Sequence, residues 1–418
     1  MQAKTGVLFY HLRPQQDSAT ISEHIHSFFN LSENEIHGFN TFHSPSSYFL
    51  GRKFDFIVLH YSLFGTYPFF LSSDLRTYIS NSRAVKIFFF QDEHQFHLQR
   101  IDLLNKLGVD QIYSCLEQIY FDEIYSRHLQ NKIQLFESLT GYVNPEYKNN
   151  IEALSNKSYV ERKYDIGYRS RKLSLKCGKG SQEKYKIGEF FLHSSEFSNL
   201  KKDISSDDKD RIYANNWLEF LGNCKFTLGA ESGVSVFDVS GKIYRGYDDL
   251  IAKGLTDEEA YKQSIEKYEK NINYRAISPR IFEAAATKTC QILLEGKYNN
   301  ILEADKHYIS IKNDFSNYKA IINKMKDQEF VNYLTQNCLS DLILSDKYSY
   351  STFIKGFDLN LAMITNNQDK IAVAPFRKTK KYQNKTLKIF IYKLRNSNFL
   401  FKKNIKSALI FLQNKANK

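Results

Sequence analysis

ISPRIFEAAATKTCQILLEGKYNNILEADKHYISIKNDFSN, residues 277–317, carries the clearest structural pattern in the chain. Ser278 followed by Pro279 reads as a helix start: the hydroxyl can accept from free amides, and a proline at the first helical position lacks only an N–H that would be unpaired there anyway. The F-E-A-A-A run continues that helix. CQILLE (290–295) and HYISIK (307–312) are short apolar runs bounded by polar, glycine-containing turns, and read as strands. Strands apolar along their whole length need cover on both faces, as in a parallel sheet between helix layers.

The alternation extends in both directions. Upstream, YDIGY (164–168) and CKFTLGA (224–230) read as strands, with helices at 183–197, at 208–222 behind Ser206 and Asp207, and at 256–271 behind Thr256. Downstream, 316–347 reads as two helices and 349–365 as a last one. The N-terminal part repeats the pattern: strands at 6–12, 55–61, 84–91, 110–115 and 132–136 enclose helical stretches ATISEHIHSFFN, SSDLRTYISNS, FHLQRIDLLNKLG and QIYFDEIYSRHL. Between the two series lies LTGYVNPEYKN (139–149), rich in turn formers. The reading is an α/β chain with two Rossmann-like domains: 1–140, a linker over 141–155, 156–348, a C-terminal helix over 349–372 and a basic tail over 373–418.

Composition agrees with a globular protein. Of 418 residues 42% are hydrophobic and 25% charged, which excludes a disordered or fibrous chain. The net charge of +12 is localised: 13 Lys/Arg and no acid fall between Phe376 and Lys418, so the preceding residues are nearly neutral. That balance argues against a nucleic-acid groove on the folded domains. The cysteines Cys115, Cys177, Cys224, Cys290 and Cys338 are scattered, odd in number and set beside apolar residues, the pattern of buried thiols in a reducing cytoplasm rather than of a zinc site or disulfide framework. MQAKTGVLFYHLRP is too polar for a signal peptide, and no apolar window of about 18 residues exists.

Two facing sheets of this kind bind ligands beyond the carboxyl ends of their strands. The turn after GVLFYHL lacks the second glycine of a dinucleotide fingerprint, and none of the Gly-Lys pairs completes a phosphate-binding P-loop. Asp208-Lys209-Asp210 matches a metal-binding D-x-D in pattern, but it sits at an expected helix start, where acids favour the macrodipole, and is read as helix-start acids rather than a metal site. No metal and no cofactor are expected.

Residues 277–317, with QDEHQF (91–96), LTGYVNPEY, YDIGYRSRKL (164–173) and RIYANNWLEFLGNCKFTLGAESGVSVFD (211–238), resemble in order and spacing the GT-B glycosyltransferases, in particular their "group 1" and spore-coat-associated branch. The resemblance covers most of residues 85–320 and implies a nucleotide-sugar donor site in the second domain and an acceptor site in the first. It places Glu283 at the F-E-A position, where the family's carboxylate accepts from the ribose hydroxyls, and Glu303 at the following loop position. The family's second glutamate, eight residues earlier, is Arg275 here, so retention of configuration does not carry over.

The residues themselves fit that picture. Ser278 and Arg280 open a helix whose amides and dipole can hold a diphosphate. Arg169 and Arg171 past YDIGY, and Lys179 between two glycines, offer cations for a departing nucleoside diphosphate. Glu231, Ser232 and Gly233 follow a strand in a loop that allows close backbone approach. On the acceptor side Asp92, Glu93 and His94 follow the strand KIFFFQ and can take a hydroxyl proton, with His11 and Arg13 also near the cleft. His24, His26, His37 and His43 read as surface residues.

The tail places Phe401, Ile405, Ala408, Leu409 and Leu412 on one helical face among lysines, which fits the headgroup plane of an anionic membrane, or a helix docked on the body. The reading is a cytoplasmic enzyme, peripheral at the inner face of the membrane, with a nucleotide-sugar donor, a glycan or glycolipid acceptor, an anionic membrane surface as partner and no nucleic acid. The alternative class is a non-catalytic membrane- or nucleic-acid-binding protein using the tail.

Overall fold

The computed structural model describes residues 3–13, 17–44, 49, 51–212 and 215–367; the basic tail and its expected membrane face lie outside them. The first domain is a parallel sheet of β1 (Thr5–Tyr10), β2 (Glu35–Asn40), β3 (Phe56–Leu59), β4 (Val85–Phe89), β5 (Gln111–Ser114) and β6 (Gln134–Glu137), in the order β2-β1-β3-β4-β5-β6. Helices Ala19–Leu31, Ser73–Asn81 and His97–Leu107 connect the strands. β2 is absent from the sequence reading because EIHGFN is an edge strand in which only Phe39 is buried. The helix expected from QIYFDEIYSRHL shrinks to a 3-10 turn, Gln118–Tyr120, and a π turn, Asp122–Ser126.

The second domain is a parallel sheet of β7 (Tyr164–Arg169), β8 (Lys202–Ser205), β9 (Cys224–Gly229), β12 (Cys290–Leu294) and β13 (Ile309–Ile311), in the order β13-β12-β9-β7-β8. A separate antiparallel pair joins β10 (Ser232–Val234) to β11 (Tyr274–Ala276). Between these two short strands the chain makes helices Lys242–Ala252 and Asp257–Ala260, the latter behind the expected Thr256 in a capping box with Glu259. Two expected caps differ. The helix after Asp207 begins only at Asn215, since Asp208–Asp210 forms a 3-10 turn in which Asp210 accepts from Ser205 Oγ (2.7 Å) and Asp208 pairs with Arg211 (2.9 Å). Ser278 makes no side-chain cap: Pro279 already has helical backbone angles, so the cap position moves onto a residue with no side-chain acceptor, and the helix is Arg280–Ala286.

The domains exchange elements. The last helix, Tyr350–Asn367, leaves the second domain and packs Ile354, Phe357 and Leu361 against Leu8, Phe28, Phe56 and Phe89 of the first. Each such side chain contributes about 1.5–3 kcal/mol of burial. Asp358 pins the helix by accepting from Ser32 Oγ (2.7 Å), the Glu33 amide (2.9 Å) and Asn34 Nδ2 (2.8 Å). In the other direction Val234, Phe237, Ile272 and Tyr274 join the apolar core of the first domain. The expected linker is partly ordered into helices Pro145–Asn149 and Ile151–Leu154. All five cysteines are free thiols, four buried and Cys177 half-buried. Among the described residues no helix is long and apolar enough to cross a membrane.

Candidate functional site

The carboxyl edges of the two sheets meet. The Asp92 amide, just past β4, donates to the Tyr274 hydroxyl (3.1 Å), and Thr140 Oγ1 donates to the Ile277 carbonyl (2.5 Å). On the second domain's side of this junction, Tyr168, Lys184, Trp217, Gly229, Ser278 and Arg280 line a small cleft.

Lys184 is its centre. The helix Glu183–His193 starts beside the carboxyl ends of β7 and β9 and delivers the lysine to Ser232 Oγ, to which Nζ donates (2.6 Å). Burial, and then the charges of Arg280 and Arg275, push its ammonium down to about 7, with Asp92 and Glu183 acting in the opposite sense. Arg275 pairs with Glu183, lies 3.6 Å from Glu231 and donates to the Gly180 carbonyl (3.2 Å). Arg280 is exposed at the rim, its guanidinium over the Trp217 ring (5.0 Å) and bonded to the Arg169 carbonyl. Three cations thus converge where an α/β sheet takes its ligand, one of them held near its neutral form. Lys184 has no distinguishing signal in the sequence: EKYK at a helix start looks like a solvated face.

The expected donor residues divide. Glu283 sits one turn into its helix, where Trp217 Nε1 donates to Oε2 (2.6 Å); burial pushes its carboxyl up to about 7 against that bond and the Arg280 charge. Glu231 is buried and accepts the Tyr298 amide (2.7 Å). Ser232 holds Lys184, and Gly233, at φ 115°, is required because a Cβ there would stand 2.0 Å from the Tyr274 carbonyl oxygen. Arg169 is committed elsewhere: its guanidinium pairs with Asp203 (2.7 Å), donates to the Asp210, Tyr168 and Asp203 carbonyls (2.9 Å each) and lies over Phe220 (4.6 Å). Arg171 is exposed, 3.8 Å from Asp208. Lys179 is exposed, 3.7 Å from Glu266 and over the Tyr261 ring. The Glu303 side chain is exposed on a turn whose amide bonds His307 Nδ1 (2.9 Å). Ser278 makes no side-chain cap on this seven-residue helix, and Lys184 and Arg280 line the cleft beside it.

On the acceptor side the three residues after β4 take different positions. Asp92 adopts a left-handed backbone, φ 51°, and its side chain is exposed. That turn directs Glu93 inward, where it has no exposure and receives Ser114 Oγ (2.5 Å), the Cys115 amide (3.2 Å), the Tyr125 hydroxyl (3.4 Å) and the Tyr274 hydroxyl (2.6 Å). The Glu93 carboxyl thus has its acceptor positions met within the fold rather than facing open solvent. His94 is buried with Nδ1 unpartnered among the described residues, and burial pushes it down to about 4. His11 stacks on Phe70 (3.6 Å) and meets Thr41 Oγ1 (3.0 Å); Arg13 pairs with Asp17 (2.6 Å). His24, expected at the surface, is buried, with Nδ1 2.9 Å from His60 Nε2 and aromatic rings around it.

No family model matches the chain, and no curated protein matches it in sequence. Solved structures do match in fold. An α-glucosyltransferase solved with UDP and a 13-mer DNA containing an HMU base superposes with a TM-score of 0.52 at 10% identity, over 87% of this chain and 100% of that one. The α-glucosyltransferase with UDP-glucose and DNA containing an abasic site gives 0.52 at 11% identity over the same shares. Anabaena HepE, solved with UDP and glucose, gives 0.48 at 8% identity, over 86% of this chain and 100% of that one. The fold is GT-B. Its two Rossmann-like domains and the returning C-terminal helix are both present.

Proposed function

We propose that the chain transfers a glycosyl group from a nucleotide sugar to an acceptor hydroxyl. The observation that carries this reading is the placement of Lys184 and Arg280 in one cleft at the carboxyl edge of the second sheet, with Arg275 and, from the opposite domain, Asp92 near enough to act on the Lys184 ammonium. As the bond between the anomeric carbon and the diphosphate breaks, negative charge develops on the leaving oxygen, and these cations stabilise it. Phosphate entering the cleft favours the protonated form of Lys184. Glu283 accepts from the ribose hydroxyls. Asp92 takes the proton of the acceptor hydroxyl as its oxygen bonds to the anomeric carbon.

UDP and UDP-glucose, present with the α-glucosyltransferase, support uridine as the first base to try. The finer reading keeps the chain in the "group 1" and spore-coat-associated branch, acting on a cell-surface, lipid-linked glycan from the cytoplasmic face of the membrane with the basic tail on anionic headgroups. The same relative holds DNA, so the exclusion of nucleic acid as acceptor is tested rather than assumed. The experiment is to incubate the full chain with a panel of nucleotide sugars and glycolipid, oligosaccharide and duplex DNA acceptors, and to measure nucleoside diphosphate release and labelled product. Acceptor-stimulated release from one donor supports the reading; no release from any donor refutes it.

A further inference from the structure

We propose that Tyr274 is a positioning residue that sets Asp92 for proton abstraction only when the two domains are docked, an inference that rests on the reading of Asp92 as the acceptor-side base. Tyr274 and Arg275 are neighbours on β11, and successive side chains of a strand face opposite ways. Arg275 reaches Glu183 and Glu231 in the donor site, while Tyr274 enters the first domain's core, 3% exposed. β11 also pairs with β10, whose Ser232 holds Lys184. One short strand therefore touches the donor cations on one face and the acceptor loop on the other.

The Tyr274 hydroxyl has both its capacities used at that loop. It donates to Glu93 Oε2 (2.6 Å), and its oxygen accepts the Asp92 amide (3.1 Å). Glu93 is itself fixed by Ser114, Cys115 and Tyr125, so the hydroxyl is anchored on a rigid group. Asp92 needs such support: it stands at φ 51°, a region an aspartate visits at some cost. From within its own domain the loop is held by buried Arg100, which donates to the Gln91 carbonyl (3.0 Å) and the Asp92 carbonyl (3.3 Å). From the other domain it is held at the Asp92 amide by Tyr274. Separation of the domains releases that amide and with it the orientation of the Asp92 carboxylate.

The test compares full-length Tyr274→Phe, which keeps the ring in its apolar pocket, with the parent. Amide hydrogen exchange over 91–96 should accelerate at least about tenfold while β4 amides stay unchanged. With donor and acceptor, kcat should fall by about a hundredfold with donor KM within a factor of about two, the split expected of lost positioning rather than lost binding or folding. Adding Asp92→Asn to Tyr274→Phe should cost little more than Asp92→Asn alone. Unchanged exchange at 91–96, or a parental kcat in the variant, overturns the role of Tyr274. A parent that turns over no nucleotide sugar overturns the reading of Asp92 and this role together. A Tyr274→Phe protein that melts far below the parent and loses donor affinity assigns the hydroxyl to stability and overturns the proposal; Val234→Ala, which removes core contacts of the same strand pair without the hydroxyl, should leave kcat near parental.

Discussion

The Tyr274 hydroxyl lies 2.6 Å from Glu93 Oε2, joining the second domain to a carboxylate of the first that has no exposure to solvent. A buried carboxylate is tolerated because its acceptor sites are met by hydroxyl and amide donors, and those donors in turn depend on it. Arg100, also buried, adds its charge nearby, but its two terminal guanidinium nitrogens donate to the Gln91, Phe64 and Asp92 carbonyls and its Nε has no hydrogen-bond partner among the described residues.

Glu93 is therefore expected to govern stability before turnover. Glu93→Ala strands the hydroxyls of Ser114, Tyr125 and Tyr274 and the Cys115 amide, and should cost about 3–5 kcal/mol, since unpaired buried donors lose their full desolvation penalty. Urea unfolding of the purified variant measures it. A midpoint equal to the parent's would mean that the Glu93 cluster is not a structural node.

Lys184 and Glu283 predict a proton balance on ligand binding. Both titrate near 7, the lysine lowered and the carboxyl raised by burial. A diphosphate stabilises protonated Lys184, and ribose hydroxyls stabilise ionised Glu283. Below 7 the lysine already carries its proton, so binding releases one from Glu283; above 7 Glu283 is already ionised, so binding draws one onto Lys184. Calorimetry in buffers of different ionisation enthalpy should give release at pH 6 and uptake at pH 8. Lys184→Met should remove the uptake and Glu283→Gln the release; a balance independent of pH would contradict both placements.

The His24–His60 contact predicts acid sensitivity. Burial lowers both rings, His24 to about 3, so the folded state prefers them neutral. Their contribution to stability is complete above the unfolded value near 6.5 and declines as pH falls below it, because the unfolded chain binds protons that the fold refuses. Thermal melting between pH 7 and pH 4 should show that decline, and His24→Phe combined with His60→Leu should flatten part of it. An unaltered pH slope in the double variant would remove the pair as its source.

Legibility in the sequence followed burial. β1, β3, β4, β9 and β12 were readable because FIVL is wholly apolar and VKIFF and CQILL are apolar but for Lys86 and Gln291, as strands covered on both faces tend to be. β2 and β8, EIHGFN and KDIS, are polar edge strands, and β10 and β11 have three residues each, too few for periodicity. The site was readable to the level of its loops and not of its side chains. Asp92, Glu93 and His94 do follow a strand, but the left-handed turn at Asp92 that sends Glu93 into the core leaves no mark on residue type. Arg169 lies at the strand end where a cation was expected, and its ring partner Phe220 and acceptor Asp203 arrive from distant segments. Lys184 was hidden for the converse reason: Ser232, Arg275 and Arg280 meet it only through tertiary packing.

Arg169 and Arg280 should therefore separate on mutation. Arg169→Ala removes bonds to Asp203 and Asp210 and should lower the melting temperature, weakening nucleoside and nucleoside diphosphate alike. Arg280→Ala, at an exposed position, should leave melting near the parent and weaken diphosphate binding selectively. Selective phosphate loss in Arg169→Ala would return that residue to the ligand.

Calorimetric titration shows whether a nucleoside diphosphate binds at Lys184. The parent chain at pH 7 should bind the diphosphate of one base among UDP, GDP and ADP at one site, with CMP as the monophosphate comparison. Lys184→Met should weaken that diphosphate by about ten- to a hundredfold while leaving the nucleoside of the same base unaffected, the signature of a lost charge-assisted contact to phosphate. Failure of the parent to bind any of them at millimolar concentration, or equal diphosphate affinity in parent and Lys184→Met, would contradict the account.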